Sequence, residues 1–202
     1  MSDIAAVILA AGLARRFGAG PDSNKALALL DGKPLVVWVA EAALASRACE
    51  VVVVTGHAGA AVGHVLAPLP LRPVHNAAYV AGMAGSLQAG LDALPQGVSG
   101  AIVLLADMPK ITPDIIDRLI AQYEAAGCVA DAVVPVREGR QGNPVLLGRS
   151  IFAAVKTLSG DQGARRLFDD ARFQILSCMI DDEAIEIDVD TPAALAALER
   201  RG

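Results

Sequence analysis

The chain has 202 residues, 54% hydrophobic and 19% charged, with a formal net charge of −5 at pH 7. That length favours one domain built around one core, and a mean hydropathy of +0.48 excludes intrinsic disorder, which needs low hydrophobicity and high net charge. The acidic balance argues against a general nucleic-acid binder, which carries a basic face, but leaves room for a small anion held by a few local cations.

Ala5–Ala10 is an apolar run that leads into glycine, and it predicts a first strand. Pro34–Ser46 has Leu35, Val39, Ala42 and Ala43 at helical spacing, with Pro34 suited to a first turn. The longest stretch without a charged residue, 51–71, has the length of a spanning helix. It contains Gly56, Gly59, Gly63, Pro68 and Pro70, so it reads as strand, glycine loop, short helix and proline turn. Pro73–Asn76 is a short strand, and Gly82–Leu94 a helix carrying Met83, Leu87 and Leu91. Ala101–Ala106 is apolar and ends at Asp107; Thr112 then caps a helix that starts at Pro113 and stops at Gly127. Ala132–Val136 is another buried strand. Unbroken β-branched runs alternating with helices predict a doubly wound, mostly parallel α/β sheet.

Beyond Val136 the texture is less regular. Arg137–Asn143 is polar and glycine-rich, Val145–Leu147 a short strand, and Ile151–Leu158 and Gly163–Asp170 helical. Ile175–Ile180 and Ile185–Val189 read as strands, and Thr191-Pro192 opens a last helix. Asp3 stands where a secretory leader carries positive charge, so the expectation is a cytoplasmic protein that does not span a membrane. Cys49, Cys128 and Cys178 are scattered and odd in number, which fits buried small hydrophobes rather than disulfides or a zinc site.

Ligands of open α/β sheets bind beyond the carboxyl ends of the strands. After the first strand comes Leu9-Ala10-Ala11-Gly12, then Arg15, Arg16 and Gly18, and then Asn24-Lys25. Such a loop suits phosphate, although it is neither a Walker nor a GxGxxG pattern, and a surface loop remains open. Asp107 at a strand end is well placed to hold Mg²⁺, which favours carboxylates plus substrate phosphates. Asp188 and Asp190 point to the same side of an extended segment. Either one is a second metal ligand, or Asp190 or Thr191 only caps the last helix.

In order along the chain, these pieces resemble the MobA-like nucleotidyltransferase family. They are Leu9-Ala10-Ala11-Gly12 with Arg16-Phe17-Gly18; Asn24-Lys25 with Asp31-Gly32-Lys33-Pro34-Leu35; Thr55-Gly56-His57; and Asn76 with Gly82-Met83 and Ser86-Leu87. Leu105-Ala106-Asp107-Met108-Pro109, Gly139–Pro144, Gly160-Asp161-Gln162-Gly163-Ala164-Arg165 and Asp188–Pro192 complete the set. Two features depart from the family pattern: Ala84 and Gly85 stand where a serine-rich stretch is common, and Ala193-Ala194 where an acidic pair is usual.

The resemblance implies a single-domain, Rossmann-like fold of the nucleotidyltransferase type over 1–202, and it is nearest to the members that transfer CMP from CTP to molybdopterin. Arg16 and Lys25 would be catalytic. Leu9, Ala10, Ala11, Gly12, Asn76, Ser86 and Asp107 would bind the nucleotide, and Arg140, Asn143, Asp161 and Arg165 the acceptor. Asp107 and Asp190 would hold Mg²⁺, with Mn²⁺ as a substitute. Ala11 in place of a second glycine is associated with CTP over GTP, because its methyl narrows the base pocket; one methyl is worth about 1–3 kcal/mol of discrimination. A molybdenum enzyme could receive the product. The other readings are a sugar-phosphate or other phosphorylated-metabolite nucleotidyltransferase, an oxidoreductase, and a non-catalytic cofactor-delivery chaperone.

Overall fold

The structure is a computed structural model that describes residues 3–12 and 24–200. Its strands are β1 (Ile4–Ala10), β2 (Leu29–Leu30), β3 (Lys33–Pro34), β4 (Val51–Thr55), β5 (Arg72–His75), β6 (Gly100–Leu105), β7 (Ala132–Arg137), β8 (Arg140–Gln141), β9 (Val145–Gly148) and β10 (Ile175–Met179). Its helices are α1 (Leu35–Ala45), α2 (Gly59–Leu66), α3 (Met83–Asp92), α4 (Pro113–Ala125), α5 (Phe152–Val155) and α6 (Pro192–Glu199).

The central sheet runs β10-β7-β9-β6-β1-β4-β5. It is mostly parallel, with β9 antiparallel between β6 and β7. β1 lies between β4 and β6, parallel to both, and helices cover both of its faces. This explains its unbroken apolar sequence, in which only Leu9 is not fully buried. On one face α1, α2 and α4 bury Val39, Val62, Ile116 and Leu119 against Ile8 and Val53. On the other, α3 and α5 bury Leu87, Leu91 and Val155 against Val7 and Val54. Each fully buried aliphatic side chain contributes about 1.5–3 kcal/mol relative to an exposed one. The chain passes from β1 outward through β4 to β5, then returns to β6 on the opposite side of β1. The crevice beyond β1 and β6 is therefore the switch point of the sheet, where ligands of such folds bind.

A smaller apolar cluster draws the end of the chain to that crevice. Leu30 and Leu35, from the β2–β3 hairpin and α1, bury Val189 and Leu198. The Val189 N–H donates to the Asp107 carbonyl at 2.9 Å. The hairpin turn is Asp31-Gly32, both with positive φ (52° and 78°), the Asp-Gly signature of a tight β-turn. Thr112 caps α4 by accepting from the Ile115 N–H, and Thr191 caps α6 by accepting from the Ala194 N–H.

Four expectations need correction. The segment 185–189 is not a strand: Asp182 caps a 3-10 turn at Glu183–Glu186. Its backbone bonds to loops, with the Asn143 N–H donating to the Ile185 carbonyl inside the turn at 2.8 Å and the Val189 N–H beyond it donating to the Asp107 carbonyl. The helix expected over 163–170 is a 3-10 turn, Ala164–Leu167, whose cap is Gly163 without a side-chain bond, so Asp161 does not cap it. The helix expected over 151–158 is reduced to a 3-10 turn at Arg149–Ile151 running into α5. Of the cysteines only Cys178 is buried; Cys49 and Cys128 are exposed. Cys128 lies in the left-handed turn after α4, φ 57°, which carries it away from the core. Among the described residues no helix is long and apolar enough to cross a membrane.

Candidate functional site

Asn24 opens the site. It is buried, and its side-chain carbonyl accepts from the Ala26 N–H at 2.9 Å while its amide donates to the His57 carbonyl at 2.8 Å. One side chain thus fastens the 3-10 turn Lys25–Leu27 to the loop after β4 and points the next residue, Lys25, across the crevice. The Lys25 ammonium pairs with the Asp107 carboxylate and, at 2.7 Å, with Asp190 Oδ1. Burial works against that ammonium, but the Asp107 and Asp190 carboxylates outweigh it and hold its pKa above the ordinary lysine value.

Asp107 follows β6, and its Oδ1 is buried with no hydrogen-bond partner among the described residues. One oxygen each from Asp107, Asp188 and Asp190 lies within 4.8 Å of the others. Burial, and then the Asp190 and Asp107 charges, push the Asp188 pKa up, while Lys25 opposes them. Three carboxylates thus face one ammonium. An oxygen-ligated divalent cation fits this arrangement: it would satisfy the orphaned Asp107 oxygen and relieve the repulsion around Asp188.

Lys25 and Asp107 line one side of a cavity of about 380 Å³, and Asp188 and Asp190 lie outside its lining. Leu9, Ala10, Ala11, Gly12 and Ser86 line it, together with Tyr79, Val80, Gly82, Met83 and Asp161. A second cavity of about 500 Å³ adjoins it, sharing Leu9, Met83, Leu105 and Asp161. The second is mainly apolar, with Leu87, Val103, Val145 and Ala164 in its walls and Asn143 and Arg165 at its edge. At the junction Gly82, φ 113°, packs its backbone on Gly160; a Cβ at Gly82 would overlap the Gly160 carbonyl. The Ala84 N–H donates to that carbonyl at 3.0 Å.

Arg16 lies outside the described residues. Asn76 does not line the first cavity; it stands behind Ser86, donating to the Ser86 hydroxyl at 3.0 Å and accepting from the Ala78 N–H at 3.0 Å. Arg165 spends its guanidinium on the carbonyls of Gln141 and Gly142, and burial lowers its pKa. Arg140 reaches neither large cavity. It pairs with Glu186 at 2.9 Å and borders a shallow hollow of about 250 Å³ with Asn143, Arg165 and Asp188. Trp38 packs in the hairpin cluster and donates to the Leu30 carbonyl at 3.2 Å. The motifs passed over Tyr79 and Val80, although a tyrosine in a short loop between strand and helix has no core face to explain it.

Residues 6–175 match the MobA-like NTP transferase domain. The chain belongs to that family. Over 195 residues it is 29% identical to the purine catabolism protein PucB of Bacillus subtilis, spanning 92% of this chain and 91% of that protein. Over 136 residues, 65% of this chain and 52% of the other, it is 38% identical to the 2-C-methyl-D-erythritol 4-phosphate cytidylyltransferase of Streptomyces avermitilis. A crystal structure of an Rv0371c homologue from Mycobacterium sp. strain JC1 superposes with a TM-score of 0.84 at 26% identity, covering 99% of this chain and 98% of that one. The reaction class is nucleotidyl transfer from a nucleoside triphosphate, and the single-domain α/β fold is that of this class.

Proposed function

We propose that the chain transfers CMP from CTP to the phosphate of a molybdopterin-type acceptor and releases pyrophosphate, with Mg²⁺ held by Asp107 and Asp190 and Mn²⁺ as a substitute. The observation that carries this reading is the Lys25–Asp107–Asp190 constellation at the switch point, with one Asp107 oxygen buried and without a hydrogen-bond partner among the described residues. When bound, the cation offsets the charge of the triphosphate and makes its α-phosphorus a better electrophile.

The acceptor phosphate is already an anion, so no general base is required. Its oxygen forms the new bond to the α-phosphorus as the bond to the bridging oxygen breaks, and the electron pair leaves with pyrophosphate. What the protein supplies is positioning and charge. Lys25, kept protonated by its carboxylates, donates to α-phosphate oxygens as negative charge builds there. Arg16 neutralises the leaving pyrophosphate. Backbone N–H groups near Ala11 and Gly12, and the Ser86 hydroxyl, hold the nucleotide. Asp188 adds negative charge beside the metal ligands.

The acceptor enters through the second cavity, whose apolar walls suit a fused ring, with Asn143 and Asp161 at the rim. Arg165 and Asn76 contribute by holding neighbouring loop and hydroxyl groups, and Arg140 meets the acceptor outside the cavity. The similarity to a methylerythritol phosphate cytidylyltransferase favours a second reading, in which the acceptor is a smaller phosphorylated metabolite. One assay separates the two: the protein is incubated with Mg²⁺, each nucleoside triphosphate and either molybdopterin or a panel of sugar phosphates, and pyrophosphate is measured. Release that needs both CTP and molybdopterin is expected. Release driven by a sugar phosphate instead would replace the acceptor assignment.

A further inference from the structure

With the triphosphate on the Lys25–Asp107 side of the first cavity, as the proposed function requires, Ala11, Tyr79, Val80 and Ser86 remain in the lining to surround the base. Two of these walls meet on a glycine. A Cβ on Gly56 would lie 2.5 Å from the Tyr79 Cβ, 2.8 Å from its ring Cγ and 2.9 Å from the Ala11 methyl. Real side chains do not approach so closely, so Ala11 and Tyr79 both rest on the same bare backbone. The Tyr79 ring also leans on His57, with centroids 6.0 Å apart and planes tilted by 47°.

The turn that carries the tyrosine is anchored at its start. Asn76 accepts from the Ala78 N–H through its side chain and from the Tyr79 N–H through its carbonyl, at 3.0 and 3.2 Å. The same Asn76 amide holds the Ser86 hydroxyl. Asn76 thus sets two walls of the slot while touching neither cavity.

We infer that Tyr79 is a specificity-determining residue for the base: its ring, seated with the Ala11 methyl on the bare Gly56 backbone, sets the width of the slot and excludes a purine. This rests on the nucleotidyl-transfer reading above. It also ties the Ala11 methyl to the ring, because both rest on the Gly56 backbone.

The test is equilibrium binding of CTP and GTP in the presence of Mg²⁺ to the wild type and to Tyr79→Phe, Tyr79→Ala, Ala11→Gly and the Ala11→Gly/Tyr79→Ala double variant. Tyr79→Phe keeps the wild-type CTP:GTP affinity ratio, and Tyr79→Ala lowers it about tenfold. Because methyl and ring act as one wall, the double variant changes the ratio by less than the product of the two single changes. Tyr79→Leu, checked by circular dichroism, replaces the alanine variant if that one does not fold. An unchanged ratio in Tyr79→Ala overturns the inference. So does a drop in Tyr79→Phe as large as that in Tyr79→Ala, or a double variant that multiplies the single effects. Tight CTP binding with any of these results leaves nucleotidyl transfer standing; a wild type that binds no triphosphate overturns both.

Discussion

Beside the first cavity, at Lys25, three carboxylates gather near one ammonium, and among the described residues one oxygen of Asp107 is buried without a hydrogen-bond partner. Around the shallow hollow, Arg140 is already paired with Glu186, which also holds Arg137, and Arg165 is bonded to loop carbonyls. The first arrangement keeps a charge imbalance that a bound cation would relieve. The second spends its charges on holding loops. A ligand that recruits Arg140 must first compete with Glu186, and an exposed pair of that kind is worth only about 0–1 kcal/mol. The contrast is between charge held ready for a ligand and charge used to keep a shape.

If that contrast holds, substitutions in the first group are far more damaging than those in the second. Lys25→Ala lowers kcat/KM for transfer about 10²- to 10³-fold, as loss of a charge-stabilising donor does. Circular dichroism should show the fold intact, and near wild-type turnover would erase the distinction. Asp107→Asn costs about a hundredfold in turnover and abolishes the rise in Tm that Mg²⁺ gives the wild type. Stimulation by Mg²⁺ retained in that variant would move the metal elsewhere.

The pH dependence of that rise sharpens the point. The folded pKa of Asp188 is raised, so the stability contributed by its protonated form is present at low pH and lost as pH climbs through that raised value. A divalent cation offsets the loss only once the group is ionised. The Mg²⁺-induced gain in Tm is therefore larger at about pH 7 than at about pH 4.5, and scanning calorimetry showing equal gains would contradict it. Ala11→Gly comes next in size, shifting the CTP:GTP selectivity of turnover about tenfold; parallel initial rates with the two nucleotides measure it. Arg140→Ala is the mildest, changing the acceptor KM about two- to threefold, since the paired arginine contributes under about 1 kcal/mol. A change of a hundredfold there would place Arg140 with Lys25 and Asp107.

The sheet was legible because β1, β4, β6 and β7 are buried on both faces and must be written as apolar runs. The carboxylates were legible because Asp107 ends one of those runs. What was not legible depends on contacts between distant segments. Nothing near Ile185 announces that its carbonyl is taken by Asn143, which is why an apolar stretch that reads as a strand becomes a turn. Arg165 looks like a ligand for anions until its loop-carbonyl partners are seen. Asn76 looks like a nucleotide contact, yet its buried amide is spent on Ser86. The Asp31-Gly32 hairpin could have been found from its turn signature alone.

The contact between Gly82 and Gly160 has a consequence for how such a chain diverges. With no room for a Cβ at residue 82, the loop before α3 and the loop that ends at Asp161 keep one spacing, whatever their side chains become. If the acceptor sits in the second cavity as proposed, a descendant could alter it by exchanging residues 161–166, much as a tool changes its bit. The joint itself tolerates no bulkier residue at 82, so the walls of the second cavity can change while its border with the first stays in place.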